Sequence, residues 1–346
     1  MRELIRELAA RADDYRCILY ARRSWSGAQL DERFRWHLAR APDPWWHLLT
    51  ARAASRECTV YLSTNSYLTP LLLRGPAVSI VYDMVPFEPA MRPSRRSSLI
   101  EPLTLGFAVR RSSTMLCISK TTESALIERF PAAIGRTAVA LLGSTLPASQ
   151  PPADEIQALP EPGFVLAVGT LEPRKNLPRL VEAYRMLDED TQRRHPLVVV
   201  GAIGWETGET LSALRSLGDR CIMLGYVSDM ALGELYRRCG VFCYPSLGEG
   251  FGLPVLEAMS MGAAVITSNL TALPEVGGDA AYYVEPRQAA SIAQALGRLL
   301  ADEQLRLDLG RRAQVRAQEF SWEHFTDQTL AALRAAAETP SQRTLQ

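Results

Sequence analysis

Two carboxylates, Glu249 and Glu257, bracket the run Gly250-Phe251-Gly252-Leu253-Pro254-Val255-Leu256. Of all the stretches in the chain, this one has the residue types and spacing best suited to chemistry. Proline is well tolerated in a helix's first turn, so Pro254 predicts a loop carrying Glu249 and a helix with Glu257 in its opening turn. Glycines at 250 and 252 let main-chain amides come close to a ligand, and the helix start adds unpaired N–H groups and a partial positive charge. That combination suits a diphosphate. The carboxylates would repel phosphate, so their natural partners are hydroxyl groups, for which an ionised carboxylate is a strong acceptor. A sugar nucleotide offers both chemistries.

A second constellation lies upstream. The apolar run Gly163–Val168 leads into Gly169-Thr170-Leu171-Glu172-Pro173-Arg174-Lys175-Asn176. Leu177 and Pro178 then begin a helix expected to reach about Leu187, with Asn176 as its cap. Two cations at a helix start oppose the macrodipole, and an anion held between them reverses that penalty. Lysine occurs only at 120 and 175, so its presence in this loop is informative.

Together these runs resemble the glutamate-x7-glutamate signature and the Arg-Lys motif of the family 4 retaining glycosyltransferases. The resemblance implies an α/β chain of GT-B architecture, with two Rossmann-like, doubly wound parallel-sheet domains facing a cleft. It further implies hexosyl transfer from a nucleoside-diphosphate sugar to a hydroxyl acceptor with the anomeric configuration retained. On that reading Arg174, Lys175 and the amides of Gly250, Phe251, Gly252 and Leu253 stabilise the departing diphosphate. Glu249 holds the sugar's hydroxyls, Glu257 holds the ribose, and the main chain at Tyr226 and Val227 lines the nucleobase pocket. On the acceptor side, Val81-Tyr82-Asp83-Met84-Val85-Pro86 is similar to a family segment at the end of an N-domain strand. Many relatives have histidine where Tyr82 stands, so a histidine base cannot be carried over and Asp83 remains the ionisable candidate there. Arg92, Arg95, Arg96, Arg110 and Arg111 are further acceptor-side candidates.

These residues need strands and helices to position them. Short apolar runs predict strands at Cys17–Tyr20, Cys58–Leu62, Ala77–Tyr82, Met115–Ile118 and Thr137–Leu142, then at 163–168, 197–200, 221–224, 241–244, 264–267 and 281–284, with helices alternating between them. The proline-rich stretch after Gly143 reads as a linker. The expected division is therefore 1–146 for the acceptor-side domain, 147–162 for the linker, 163–321 for the donor domain, and 322–346 for a final helix returning to the first domain plus a tail. The chain opens on an amphipathic helix, Arg2 to Ala10, where a doubly wound domain normally opens on a strand and glycine turn. The N-terminal domain is accordingly expected to lack its first strand. A start codon upstream of Met1 is the favoured explanation over true loss of the strand, because removing a central strand uncovers its apolar neighbours.

The chain's length, 346 residues, exceeds one ordinary core and favours two domains. Basic and acidic residues balance at 38 each, yet residues 1–150 carry 20 basic against 13 acidic side chains, a surplus of 7. That asymmetry favours anionic partners for the first domain, such as a membrane surface bearing a lipid-linked acceptor. Four of the six tryptophans, at 25, 36, 45 and 46, crowd one stretch and read as core or edge packing, with sugar stacking or membrane insertion as the alternative. The six cysteines are scattered and read as buried free thiols in a reducing compartment. Neither they nor the four histidines show metal-ligand spacing, so no metal and no cofactor are expected beyond the donor, for which GDP-mannose is the first guess. With no signal peptide and no spanning apolar run, the expected location is cytoplasmic, peripheral on the inner face of the plasma membrane at most. The expected partners are the donor and a glycan or lipid-linked acceptor, with no nucleic acid.

Three rivals differ in chemistry. A nicotinamide enzyme requires Gly-x-Gly-x-x-Gly between strand and helix, which is absent. A sugar-nucleotide epimerase shares the two-domain shape but is disfavoured by the Arg-Lys-Asn and Gly-Phe-Gly-Leu-Pro runs. A donor-binding protein without catalysis is motivated by Tyr82 and the missing strand.

Overall fold

A run such as Leu197-Val198-Val199-Val200 has no polar face, so it is stable only where both faces of a sheet are covered. The computed structural model places it there. It describes residues 1–338 except 12–14, 28, 65, 85, 86, 88–96, 148, 150 and 206, and excludes the side chains of 97–102. Arg92, Arg95, Arg96, Val85 and Pro86 therefore lie outside the described residues.

The chain divides into two units, Met1–Leu142 with Ser321–Gln346, and Gly143–Phe320. The second unit holds one parallel sheet of six strands: β7 (Val165–Val168), β8 (Leu197–Val200), β9 (Cys221–Gly225), β10 (Val241–Tyr244), β11 (Val265–Ser268) and β12 (Tyr282–Val284). Their spatial order is β12-β11-β10-β7-β8-β9. From β7 the chain winds outward through β8 to β9, then returns to β10 on the other side of β7 and winds outward again. The winding reverses between β7 and β10, so the connections leaving those two neighbours diverge and open a crevice at their carboxyl ends. Both chemistry-bearing runs follow these two strands.

The core of this unit is aliphatic. Leu180 and Tyr184 from the helix Leu177–Arg185 pack with Leu197, Val199, Ile266, Leu296 and Leu299, all buried. A close approach fixes the loops on top. A methyl group on Gly201, at φ 146°, would sit 2.1 Å from the Gly169 carbonyl oxygen, so only glycine fits between the loops after β7 and β8. The proline-rich stretch is part of this unit rather than a free linker. Its short helix Ala153–Gln157 is tied down by Ser228 donating to Glu155 at 2.6 Å and by Arg238 donating to the Ile156 carbonyl at 3.1 Å.

The first unit contains a parallel sheet ordered β3 (Tyr61–Ser63), β4 (Ala77–Val81), β5 (Thr114–Cys117) and β6 (Thr137–Val139). A separate parallel pair joins β1 (Cys17–Ala21) to β2 (Phe34–Leu38). Strand β2 is not among the expected strands: Phe34-Arg35-Trp36-His37-Leu38 mixes arginine and histidine with its aromatics and makes no continuous apolar run. Strand β3 starts three residues later than expected. The helix Trp322–Glu338 belongs to this unit, where Arg11 pairs with Asp327 at 2.5 Å and donates to the Glu323 carbonyl at 3.0 Å. All six cysteines are free, but only Cys117 and Cys243 are buried; the other four are half-buried. Among the described residues no helix is long and apolar enough to cross a membrane.

Candidate active site

The loop leaving β7 is held on both sides. Leu171 pairs with the loop after β8 through its amide, which donates to the Ala202 carbonyl at 2.9 Å. A single 3-10 turn, Pro173–Lys175, then aims the two cations at the β10 side. The Arg174 carbonyl accepts from the Leu247 amide at 2.8 Å and lies 3.0 Å from the Ser246 hydroxyl. Two loops from neighbouring strands are thus stitched together by main chain before any charge is considered.

Asn176 completes the stitching in a way its sequence position did not suggest. It precedes the helix Leu177–Arg185 but makes no side-chain cap. Its backbone is left-handed, φ 61°, which asparagine tolerates better than most residues. That turn sends the side-chain amide away from the helix, where Nδ2 donates to the carbonyls of Pro245 at 3.0 Å and Pro286 at 2.7 Å. The loops after β7, β10 and β12 therefore share one bracket.

The charged groups converge inside it. Lys175 Nζ donates to Glu249 Oε1 at 2.7 Å, and each side chain is only 9 % exposed. Arg174 Nη1 donates to Glu249 Oε2 and, at 3.2 Å, to the Gly248 carbonyl, while Arg174 Nε donates to Glu172 at 2.9 Å. Glu249 Oε1 also accepts from the Tyr244 hydroxyl at 2.8 Å and lies 2.7 Å from the Ser246 hydroxyl. Sequence reasoning assigned Glu249 to hydroxyl groups alone. A carboxylate this deep requires opposite charge around it, and here two cations supply it.

The protonation states follow from that balance. Burial works against the Glu249 charge, but Lys175 and Arg174 outweigh it and hold the carboxyl below its ordinary range. Burial lowers Lys175, with the Glu249 carboxylate opposing that shift and the Arg174 charge adding to it. For Arg174 the adjacent Glu249 overrides burial and raises it further. Tyr244 is pushed well up by burial and by Glu249, so its phenol keeps its proton and donates. Two cations face Glu249 and Glu172, a set whose formal charges cancel.

Glu257 behaves differently. The helix is Leu253–Ser260, so Glu257 sits one residue past the first turn, not within it. Burial pushes its carboxyl up to about 7, with the Thr145 hydroxyl, donating at 3.2 Å, offsetting part of the rise. Gly252 is left-handed at φ 103°, and a methyl group there would meet Leu273 Cδ2 at 2.6 Å. The Phe251 ring is buried edge-on to Phe320, with centroids 5.9 Å apart, so only its main chain is available to a ligand.

The two nucleobase-side candidates are not gathered into this cluster. Tyr226 and Val227 follow edge strand β9, two strand positions from β7, or about 10 Å at ordinary strand spacing. Tyr226 is 84 % exposed. Tyr82 and Asp83 directly follow β4 in the first unit, and burial pushes the Tyr82 phenol up to about 12. The sequence reading missed Tyr244, Ser246, Glu172, Thr145 and Thr271, whose hydroxyl accepts from the Glu249 amide at 3.0 Å. Tyr244 and Ser246 adjoin one motif and Glu172 lies inside the other, two residues before Arg174; nothing local marks Thr145 and Thr271. Among the described residues no three His, Cys, Asp or Glu side chains cluster as metal ligands.

Two parallel α/β units, one with its ionic site at a topological switch point, define the GT-B class of protein. Sucrose-phosphate synthase from Thermosynechococcus elongatus superposes with a TM-score of 0.77 at 21% identity, over 96% of this chain and 92% of that one. WaaG, a glycosyltransferase involved in lipopolysaccharide biosynthesis, gives 0.72 at 16% identity over 96% and 95%. Anabaena HepE in complex with UDP-glucose gives 0.69 at 18% identity over 84% and 82%. Residues 151–316 match the family model for glycosyl transferases group 1. The O-antigen chain mannosyltransferase B of Escherichia coli is 37% identical over 287 residues, 80% of this chain and 74% of that protein. The serotype-specific mannosyltransferase WbdA of the same species is 38% identical over 163 residues, 46% of this chain but 20% of its own length. The chain belongs to the group 1 glycosyl transferases.

Proposed function

We propose that this glycosyltransferase moves a mannosyl unit from a nucleoside-diphosphate sugar, GDP-mannose, to a hydroxyl of a growing polysaccharide or glycolipid, with retention and without a metal ion. The observation that carries this reading is the meeting of Arg174 and Lys175 with Glu249 in one buried bracket at the β7/β10 switch point. The mannosyl donor and polysaccharide acceptor are supported by the relatives named as mannosyltransferases.

The demanding step is departure of the nucleoside diphosphate while the sugar becomes cationic. Arg174 and Lys175 neutralise the charge growing on that leaving group, helped by main-chain amides from Gly250 to Leu253. Removing one preorganised donor of this kind costs about 2.7–4 kcal/mol in other enzymes, on the order of a hundredfold or more in rate. Because the resting cluster is charge-balanced, donor binding has an exchange built into it. The cations turn from Glu249 to the diphosphate, and Glu249 turns to the sugar hydroxyls. Glu257 takes the ribose hydroxyls. Two side-chain cations occupy the role a divalent ion would otherwise fill. The acceptor is met at a membrane surface, toward which the basic surplus of residues 1–150 draws the first unit.

The test is release of nucleoside diphosphate by the purified chain with a panel of sugar donors and an oligomannosyl acceptor, and proton NMR of the product. Release from GDP-mannose with an α-anomeric product is the expected result; release from UDP-sugars alone, or an inverted product, overturns the donor or the stereochemistry. A donor-binding protein without catalysis is the second reading. Tyr82, with its phenol pushed up to about 12 by burial, is a poor base at neutral pH. Calorimetric binding of GDP-mannose with no release in any acceptor's presence would establish that reading instead.

A further inference from the structure

The helix Trp45–Glu57 shows its apolar side chains to the wrong medium. Its buried positions, His47, Thr50, Ala51 and Ala54, share the face turned to the protein. On the opposite face Trp45, Leu48, Leu49, Arg52 and Arg56 follow one another at helical spacing and form a single stripe. Trp45 is 61 % exposed, Leu48 44 % and Leu49 50 %. A surface helix ordinarily turns polar groups outward, and large apolar side chains grouped on an outer face mark an interaction surface. Leu72, on the helix packed against this one, adds another exposed apolar side chain.

The charges along the stripe select the partner. Neither Arg52 nor Arg56 is in an ion pair among the described residues. Glu57, the helix's only acid, is engaged by Arg35 at 2.6 Å. Trp45, Leu48 and Leu49 at one end and two unneutralised guanidinium groups along the same face match a bilayer interface: aromatic and leucine side chains enter the headgroup boundary, and arginine stems lie along it with their charges on lipid phosphate. A second copy of the chain would bring the same arginines against each other or against the apolar end.

We propose that this stripe docks the chain on an anionic lipid surface. The proposal deepens the membrane contact inferred above and rests on it. The test uses the full chain, without sugar donor, in co-sedimentation with vesicles of phosphatidylcholine alone or with about a third phosphatidylglycerol. Wild type sediments with the anionic vesicles and much less with the neutral ones. Replacing Leu48 and Leu49 together by serine lowers partitioning by about tenfold or more. Replacing Arg52 and Arg56 by serine lowers it by about fivefold per arginine, on anionic vesicles only. Both variants keep wild-type release of nucleoside diphosphate with a soluble acceptor, which shows that they fold. The proposal is overturned if wild type ignores anionic vesicles, if the serine variants bind as wild type does, or if the stripe instead holds a lipid-free dimer that Leu48→Ser/Leu49→Ser dissociates. Since binding is read without donor, an inactive enzyme that binds vesicles sinks only the transfer reaction, and an active enzyme indifferent to them sinks only the docking surface.

Discussion

The Lys175 ammonium and the Glu249 carboxylate, 74 residues apart in sequence, lie 2.7 Å apart with 9 % of either side chain exposed. This contact ties the loop after one strand to the loop after its neighbour, and it puts the protein's candidate leaving-group cation and its candidate sugar ligand on each other.

Removing one member of a buried pair leaves the other's charge uncompensated, which costs about 3–5 kcal/mol. Lys175→Met is therefore expected to lower unfolding free energy toward that range, moderated by Arg174 remaining on Glu249. Adding Glu249→Gln should return part of the loss, because the stranded charge is gone. Urea unfolding of both single variants and the double variant gives the coupling. Additive losses would show that the pair does not act as a pair. Transfer rate in Lys175→Met should fall by about a hundredfold or more whatever the stability result.

The Glu257 carboxyl, raised from 4.5 to about 7, sets a pH trend. Below about pH 4.5 both folded and unfolded forms are protonated and the group contributes no slope. Between about 4.5 and 7 the unfolded chain gives up the proton while the folded one keeps it, so stability falls as pH rises, by about 3 kcal/mol in all, then levels off. Glu257→Gln removes this decline, so the variant should gain on wild type from about pH 5 to about pH 8. Urea midpoints at the two ends decide it. A constant difference would place the titration elsewhere.

Asn176→Ala removes both bonds of the bracket and puts a side chain with no local hydrogen bond at φ 61°. The expected loss is about 2–4 kcal/mol, from two unsatisfied carbonyls plus the left-handed backbone. Asn176→Gly keeps the bond loss but relieves the backbone, and should recover about 1 kcal/mol of it. Equal losses in the two variants would mean that the backbone contributes nothing.

If Arg174 and Lys175 carry the leaving-group charge, a chelator leaves transfer intact and added magnesium or manganese does not raise it. Strict dependence on either ion, measured as nucleoside diphosphate release, would remove the metal-free mechanism.

Much of the second unit could be read from its residues. The strands at 165–168 and 197–200 are continuous apolar runs, because a parallel sheet covered on both faces favours apolar side chains throughout, and those at 241–244 and 265–268 open as apolar runs before ending in Tyr244 and in the buried Thr267 and Ser268. In the first unit the half-exposed β2 carries arginine and histidine among its aromatics, and that mixture hid its alternation. The Asn176 cap failed for a local reason too: a cap demands extended backbone, and this asparagine is left-handed.

By itself the sequence determined which residue types stand at two strand ends: an Arg-Lys pair after one and a glycine-rich loop between two glutamates after the other. Local spacing is enough for that, since prolines and glycines set the turns they occupy. Only the tertiary structure decided that Glu249 rests between the two cations, that Glu257 is buried deeply enough to hold its proton to about pH 7, and that Phe251 turns into the core. Those outcomes depend on which strands become neighbours. The reversal of winding between β7 and β10 brings the two runs together, and the desolvation that follows sets the charge of every group between them.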